Sequence, residues 1–342
     1  MTARLRTSLA LAGSLALGGA LLWLSLRGVD FSGVGDALAG AAWLWVLPLL
    51  AVTIASHALR AWRWQLLLGA MPGERARVPF GEAFAALLVG YLVNQAAPRL
   101  GEFARAANLA TRTEHTFAGA MGTVVAERVL DVVTLGLALL SVVALFGDRL
   151  SAIGEAFAGG ARGALEALPV SGAVLLAGLA LVGLAVLGGA VWALRRGGDR
   201  LRGLVGAFRD GLTSLLRVRQ RLALVGSTLA IWALYAVMSY IPLVMLGLAD
   251  AYSLGLVDAW ALMNLGAVGM SLPSPGGTGS YHYVVVQTLV LLFAVAQTPA
   301  ATYALLTHAA QLVLMCVLGA AALVWQGTSF RAVTRSAREA SA

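Results

Sequence analysis

Apolar residues run in long blocks separated by short polar segments, and the block lengths predict the elements. Six blocks, at about 7–26, 43–69, 117–146, 169–194, 222–248 and 300–326, each hold the roughly 20 residues that a helix needs to cross a bilayer core. Two more, 80–112 and 253–297, are as apolar but are interrupted near their middles. The first interruption is Pro98-Arg99-Leu100-Gly101 and the second is Pro273-Ser274-Pro275-Gly276-Gly277-Thr278-Gly279. Proline lacks a donor and clashes with the preceding turn, so each of these regions predicts two short helices around a break. The first block follows Arg4 and Arg6 as a secretory signal would. It is long for such a signal, and no small-x-small cleavage site precedes Arg27, so a retained first span is expected.

Composition sharpens this. The chain is 60% hydrophobic and 12% charged, against about 25% charged in soluble domains, so a water-soluble or disordered chain is excluded. The net charge of +8 is carried by arginine without any lysine. Arginines gather at the N-terminal tip, near 70–79, in the tail (Arg331, Arg335, Arg338) and above all in 195–221, which has eight against two aspartates. The segment near 249–258 has Asp250 and Asp258 and no arginine. Every loop obeys the positive-inside rule if both termini are cytoplasmic and each broken region returns to its own side. The expected fold is therefore an all-α polytopic membrane protein: about six transmembrane helices plus two re-entrant helical hairpins. A limb at 281–297 that crossed fully would change the later topology. The 195–221 segment reads either as an amphipathic helix on the inner leaflet or as a solvated basic loop. A basic balance spread over membrane loops gives no reason to invoke nucleic acid. The lone Cys316 and four scattered histidines offer no disulfide framework or metal spacing, and no P-loop or nucleotide motif calls for a cofactor.

A shift of 176 residues superposes the two broken regions: Glu82-Ala83-Phe84 meets Asp258-Ala259-Trp260, Gly90 meets Gly266, and Gly101 meets Gly277. The order span, span, hairpin, span occurs twice, in repeat A at about 1–146 and repeat B at about 169–326. A basic loop at 195–221 and a tail at 327–342 complete a single membrane domain. Opposite entry of the two hairpins makes the repeat inverted, an architecture in which transporters bind substrate at broken helices.

Several residues in these segments are chemically costly in lipid. Non-helical backbone at membrane depth must line a cavity or be buried in protein. Gly276, Gly277 and Gly279 leave N–H groups open for a phosphate or carboxylate, or else permit close helix packing. At the first break Arg99, Glu102 and Arg105 stand at i, i+3 spacing and pair among themselves, or Arg99 offers its planar fork to phosphate, with Asn94 adding an amide. Glu127, Arg128 and Asp131 lie in the third long block, with Glu127 roughly 15 Å deep. Glu127 and Asp131 share a face and want cations; Arg128, Arg99 and Arg105 are available. They form either a buried ion-pair network or a coupling site. His57, Arg60 and Arg63 share one side of the second span, among Trp62 and Trp64, and either snorkel to headgroups or form a headgroup vestibule.

In this order these residues resemble the lysylphosphatidylglycerol synthase transmembrane-domain (flippase-domain) family. The matching motifs are Arg60-x-x-Arg63-Trp64, Asn94-x-x-x-Pro98-Arg99-x-Gly101-Glu102-x-x-Arg105, Glu127-Arg128-x-x-Asp131, and the run Pro273 to Gly279, over roughly 40–326. The resemblance implies a bacterial inner-membrane protein that moves an anionic phospholipid or lipid-linked headgroup between leaflets, with Asn94, Arg99, Glu102, Arg105, Arg60, Arg63 and the three glycines as substrate-binding residues. Its partners would be membrane lipids and an envelope-lipid synthesis enzyme. Two alternatives stand beside it: an accessory subunit of a glycosyltransferase pathway, and a lipid-carrier transferase using Glu102, Glu127 or Asp131 as base. The chain ends 16 residues after its last expected span, so the family's aminoacyl-transferase is not expected in it. Tyr281 and His282 stand where the family resemblance leads one to expect an acidic residue.

Overall fold

A computed structural model describes residues 3–72, 77–96, 100–166, 199–272 and 274–341. These are helical, with no strand among them. In chain order the helices are α1 (Ala3–Leu26), α2 (Phe31–Ala39), α3 (Val46–Leu68), α4 (Phe80–Ala96), α5 (Leu100–Ala110), α6 (Phe117–Glu166) and α7 (Asp199–Arg217). There follow α8 (Arg221–Met245), α9 (Leu248–Ala251), α10 (Leu256–Ser271), α11 (Ser280–Gln287, prolonged by a π turn over Thr288–Leu292), α12 (Gln297–Trp325) and α13 (Phe330–Ser341).

Among the described residues four stretches are long and apolar enough to cross a membrane: Trp43–Leu68, Phe117–Arg149, Arg221–Met245 and Gln297–Trp325. A fifth arises if the pair Gly13–Leu26 and Phe31–Ala39, bent by 79°, counts as one span. With that pair, five of the six expected blocks are matched among the described residues; the sixth, at 169–194, lies outside them. The segment after the first block forms α2, started by Asp30, whose Oδ1 accepts the Ser32 N–H at 3.0 Å. The turn before it passes through Gly28 at φ +78°.

Burial is inverted relative to a soluble bundle. Val132, Leu137, Leu140 and Leu145 on α6 are all more than half exposed, whereas Arg63 and Glu127 are fully enclosed. Apolar residues outside and charges inside suit a chain whose solvent is hydrocarbon.

The two broken regions fold as antiparallel helix pairs. In α4–α5, Gly90 lies against Gly101, and Glu82 at the start of α4 pairs with Arg112 just past the end of α5 at 2.6 Å. In α10–α11, Gly266 and Gly269 lie against Tyr281, Val284 and Val285. The limb Ser280–Leu292 has 13 residues, about 20 Å of helix, too short for a core of about 30 Å. The pairs open at opposite ends of α12, which with 29 residues is about 44 Å long. Gln326, just past its C-terminus, bonds to Asn108 and Glu82 of the first pair. Ala296, just before its N-terminus, donates its N–H to the Tyr252 hydroxyl at the mouth of the second, at 3.3 Å.

Two basic segments are helices packed on this frame. In α7, Gly211 meets Gly119 and Gly122 of α6, backbone against backbone. The 195–221 segment is therefore not a freely solvated loop over the described part. In α13, Val333 is buried in an apolar cluster with Val89, Val93 and Ala104.

Candidate functional site

The most polar part of the interior is built from α3, α5 and α6. On α3, Arg60 and Arg63 stand one turn apart on one face. On α6, Glu127 and Asp131 do the same, and α5 brings Arg105 from the third side. Glu127 Oε1 accepts from Arg60 Nη2 at 2.7 Å and Arg63 Nη2 at 3.2 Å, while Oε2 accepts from Arg105 Nη2 at 2.6 Å. Asp131 Oδ1 accepts from Arg63 at 2.6 Å and Oδ2 from Arg60 at 2.9 Å. Arg60 also donates to the Tyr235 hydroxyl and Arg63 to Thr228 Oγ1, both on α8. The Arg105 guanidinium lies 3.8 Å from the ring centroid of Trp64, whose indole N–H is held by Thr123 at 2.9 Å. Burial makes these charge-assisted bonds strong.

The geometry corrects two sequence-based expectations. Arg60 and Arg63 do not snorkel: their side chains are 8% and 0% exposed and turn inward to the α6 carboxylates. Their positions, 8 and 5 residues before the end of α3, place them level with those acids rather than at the lipid surface. Arg105 does not pair with Glu102 at i, i+3 spacing, because the inward face of α5 meets α6. Glu102 lies instead near Arg128, at 3.6 Å, and Arg128 is 3.8 Å from Asp131.

Asn94 fastens the first helix pair. Its Oδ1 accepts the Gly101 N–H at 2.7 Å and so satisfies a free donor at the start of α5. Arg99, with Pro98, lies outside the described residues. At the second break Gly276, Gly277 and Gly279 have φ of +59°, +74° and +87°, in the left-handed region that glycine tolerates. The Gly277 N–H donates to the Ser274 carbonyl at 3.2 Å and the Gly279 N–H to His282 Nδ1 at 3.3 Å. Gly279 also abuts the Gly18 carbonyl of α1. Two of the three amides thus have acceptors within the break. Among the described residues no hydrogen bond or ion pair joins these glycines to the arginine cluster.

A family model for the lysylphosphatidylglycerol synthase transmembrane region matches residues 11–319. The chain belongs to this family. No curated protein and no solved structure matches it. Membership makes it a multi-pass membrane protein of lipid metabolism.

Sequence reasoning missed a second polar knot at the mouth of α4–α5 in this family member. Asn108 and Gln326 exchange both amide bonds, at 2.9 and 3.1 Å, and Arg112 bonds to Glu82 and to the Gln326 carbonyl. Glu82 and Arg112 are 30 residues apart and Gln326 is 218 from Asn108, so no local spacing announces the knot. Tyr235 and Thr228 were missed for the same reason. They are ordinary residues within an apolar helix until α8 is set beside α3.

Proposed function

We propose that this protein is a bacterial inner-membrane lipid translocase and that the α3–α5–α6 cluster receives the anionic headgroup. The observation that carries this reading is a surplus of buried cation. Three enclosed arginines, Arg60, Arg63 and Arg105, face two carboxylates, whose four oxygens are all engaged. Meanwhile Arg63 Nε and Arg105 Nε are buried without an acceptor. A buried charge without its counterpart is costly in lipid, and a phosphate supplies both the missing charge and the missing acceptors. Trp64 beneath Arg105 keeps its guanidinium flat, ready for such a group.

Movement follows from the two helix pairs. They act as re-entrant hairpins of an inverted repeat, 1–146 and 169–326, one opening to the cytoplasm with both termini and the other to the far side. Alternating exposure of the cluster carries the headgroup across while the acyl chains stay in lipid. Asn94, Glu102 and Arg99 belong to the moving first hairpin. Glu127, Arg128 and Asp131 set the charge of the site, and Gly276, Gly277 and Gly279 shape the second break.

The test is flipping of fluorescent phosphatidylglycerol in proteoliposomes, read by dithionite quenching. Arg105→Gln is the informative variant, because Glu127 keeps two arginine partners. Losing one charge-assisted contact slows flipping about tenfold or more. An unchanged rate in the variant removes the cluster from the transport path. No flipping by the native protein favours an accessory subunit for an envelope-lipid enzyme.

A further inference from the structure

Helix α11 starts at the second break, and a helix start leaves backbone N–H groups in need of acceptors. The N-cap residue is Gly279, and its N–H is accepted by Nδ1 of His282, three residues on, at 3.3 Å. Glutamate or glutamine usually stands at that position and accepts the same bond. An imidazole accepts it only while neutral, with its own proton on Nε2. The Ser280 hydroxyl also ties the break together, 2.6 Å from the Ser274 hydroxyl and 3.3 Å from the Gly277 carbonyl, but it does not titrate.

The surroundings of His282 hold no compensating charge. The residue is buried, and its ring centroid lies 4.7 Å from that of His308 on α12 and 5.9 Å from that of Tyr281. The Tyr281 hydroxyl is bonded to Thr307. Of the other helices packed on α11, α10 carries only Asp258, at its far end and bonded to the Gly255 N–H, and α1 only Arg4 and Arg6, near its start. On α12, Tyr303 is bonded to Ser239, and Cys316 lies two turns beyond His308. A second proton on His282 turns Nδ1 from acceptor into donor. Two donors then face each other, and the new charge sits at the positive end of α11. A ligand shifts a population toward the arrangement that binds it better, and the proton is such a ligand. We propose that His282 is a proton-binding site whose protonation releases the cap of α11, so that the second break opens in acid. Imidazole changes charge between about pH 5 and 8, and a glutamine in its place would cap without this response. The proposal does not depend on the arginine cluster.

The test is hydrogen exchange of the purified full chain in nanodiscs at about pH 8 and pH 5, the two ends of the imidazole range. Protection factors over 279–287, which divide out the intrinsic pH dependence, are compared with those over 221–245. The native protein should lose about fivefold in protection at 279–287 on acidification, the worth of one cap. His282→Gln keeps an acceptor and cannot titrate, so it should match the native pH 8 protection at both pH values. His308→Gln removes the neighbouring ring but not the cap, and should retain the response. A native protein indifferent to pH overturns the proposal, as does a response that persists in His282→Gln. A response lost in His308→Gln places the proton on His308 and overturns it too. Low protection of His282→Gln at both pH values would show that ring packing, not the accepted N–H, holds the break, and the proposal falls with it.

Discussion

At the scale of single residues, Glu127 joins three helices through one carboxylate. It holds Arg60 and Arg63 of α3 and Arg105 of α5 at 3.2 Å or less. Glu127→Gln keeps the shape but leaves three buried arginines facing Asp131 alone. Removing one partner from a buried ionic network typically costs about 3–5 kcal/mol. A large fall in thermal unfolding temperature in detergent is the expected result. Arg128→Gln is the contrast: Arg128 is 40% exposed and its acidic neighbours lie at 3.6 and 3.8 Å. Exposed pairs are worth at most about 1 kcal/mol, so this variant should melt close to the native protein. Equal losses in the two would show that burial of the network does not hold the helices together. Much of this chemistry was legible as residue types. A carboxylate pair at i, i+4 inside an apolar block demands cations. Of those expected, Arg105 meets Glu127 at 2.6 Å and Arg128 lies 3.8 Å from Asp131. Arg60 and Arg63, expected at the headgroups, supply the remaining contacts. Which arginine meets which carboxylate was not legible, because Arg60 and Glu127 are 67 residues apart and only the packing of α3 on α6 joins them.

At the scale of elements, the helix pairs depend on how closely two backbones approach. A Cβ on Gly101 would collide with the Gly90 carbonyl and the Asn94 side chain. Backbone cannot retreat as a flexible side chain can, so Gly101→Ala should cost about 1–3 kcal/mol and loosen α4–α5. Faster hydrogen exchange in the amides of 100–110, with α8 unaffected, is the expected signature. Gly136, on the outer face of α6, has nothing within 4 Å of such a Cβ. Gly136→Ala should be neutral or should stabilise by up to about 1 kcal/mol through helix propensity. The breaks themselves were readable because proline and glycine interrupt helices wherever they occur. Helix α2 was not, since Phe31–Ala39 contains two glycines and an aspartate and looks like a loop by composition. It forms because Asp30 caps it and because the Asp30 N–H is held by Thr298 at the start of α12, a contact 268 residues away. Helix α7 was readable as amphipathic, but its seat on α6 depends on Gly119, Gly122 and Gly211 facing one another across the chain.

At the scale of the whole molecule, α12 acts as the ruler. Its length of about 44 Å exceeds the hydrocarbon core, so its two ends reach opposite surfaces. The first pair is tied to one end through Asn108, Glu82 and Gln326, and the second to the other through Tyr252 and Ala296. Sequence periodicity cannot supply this fact, since each pair alone reads the same whichever side it opens toward. The charge pattern supplies a direction: arginines flank the first pair and aspartates the second. Accessibility labelling separates the two mouths. With Cys316 replaced by serine, Thr111→Cys and Ala251→Cys place a thiol at an exposed position beside each mouth. In intact cells a membrane-impermeant maleimide should label position 251 and spare 111; in inside-out vesicles the order should reverse. Labelling of both from one side would mean an even number of crossings between 111 and 251, and the inverted repeat would have to be abandoned. Reversed labelling in both preparations would keep the repeat but turn the molecule over, placing the Glu82–Arg112–Gln326 knot outside the cell and making the headgroup path run the other way.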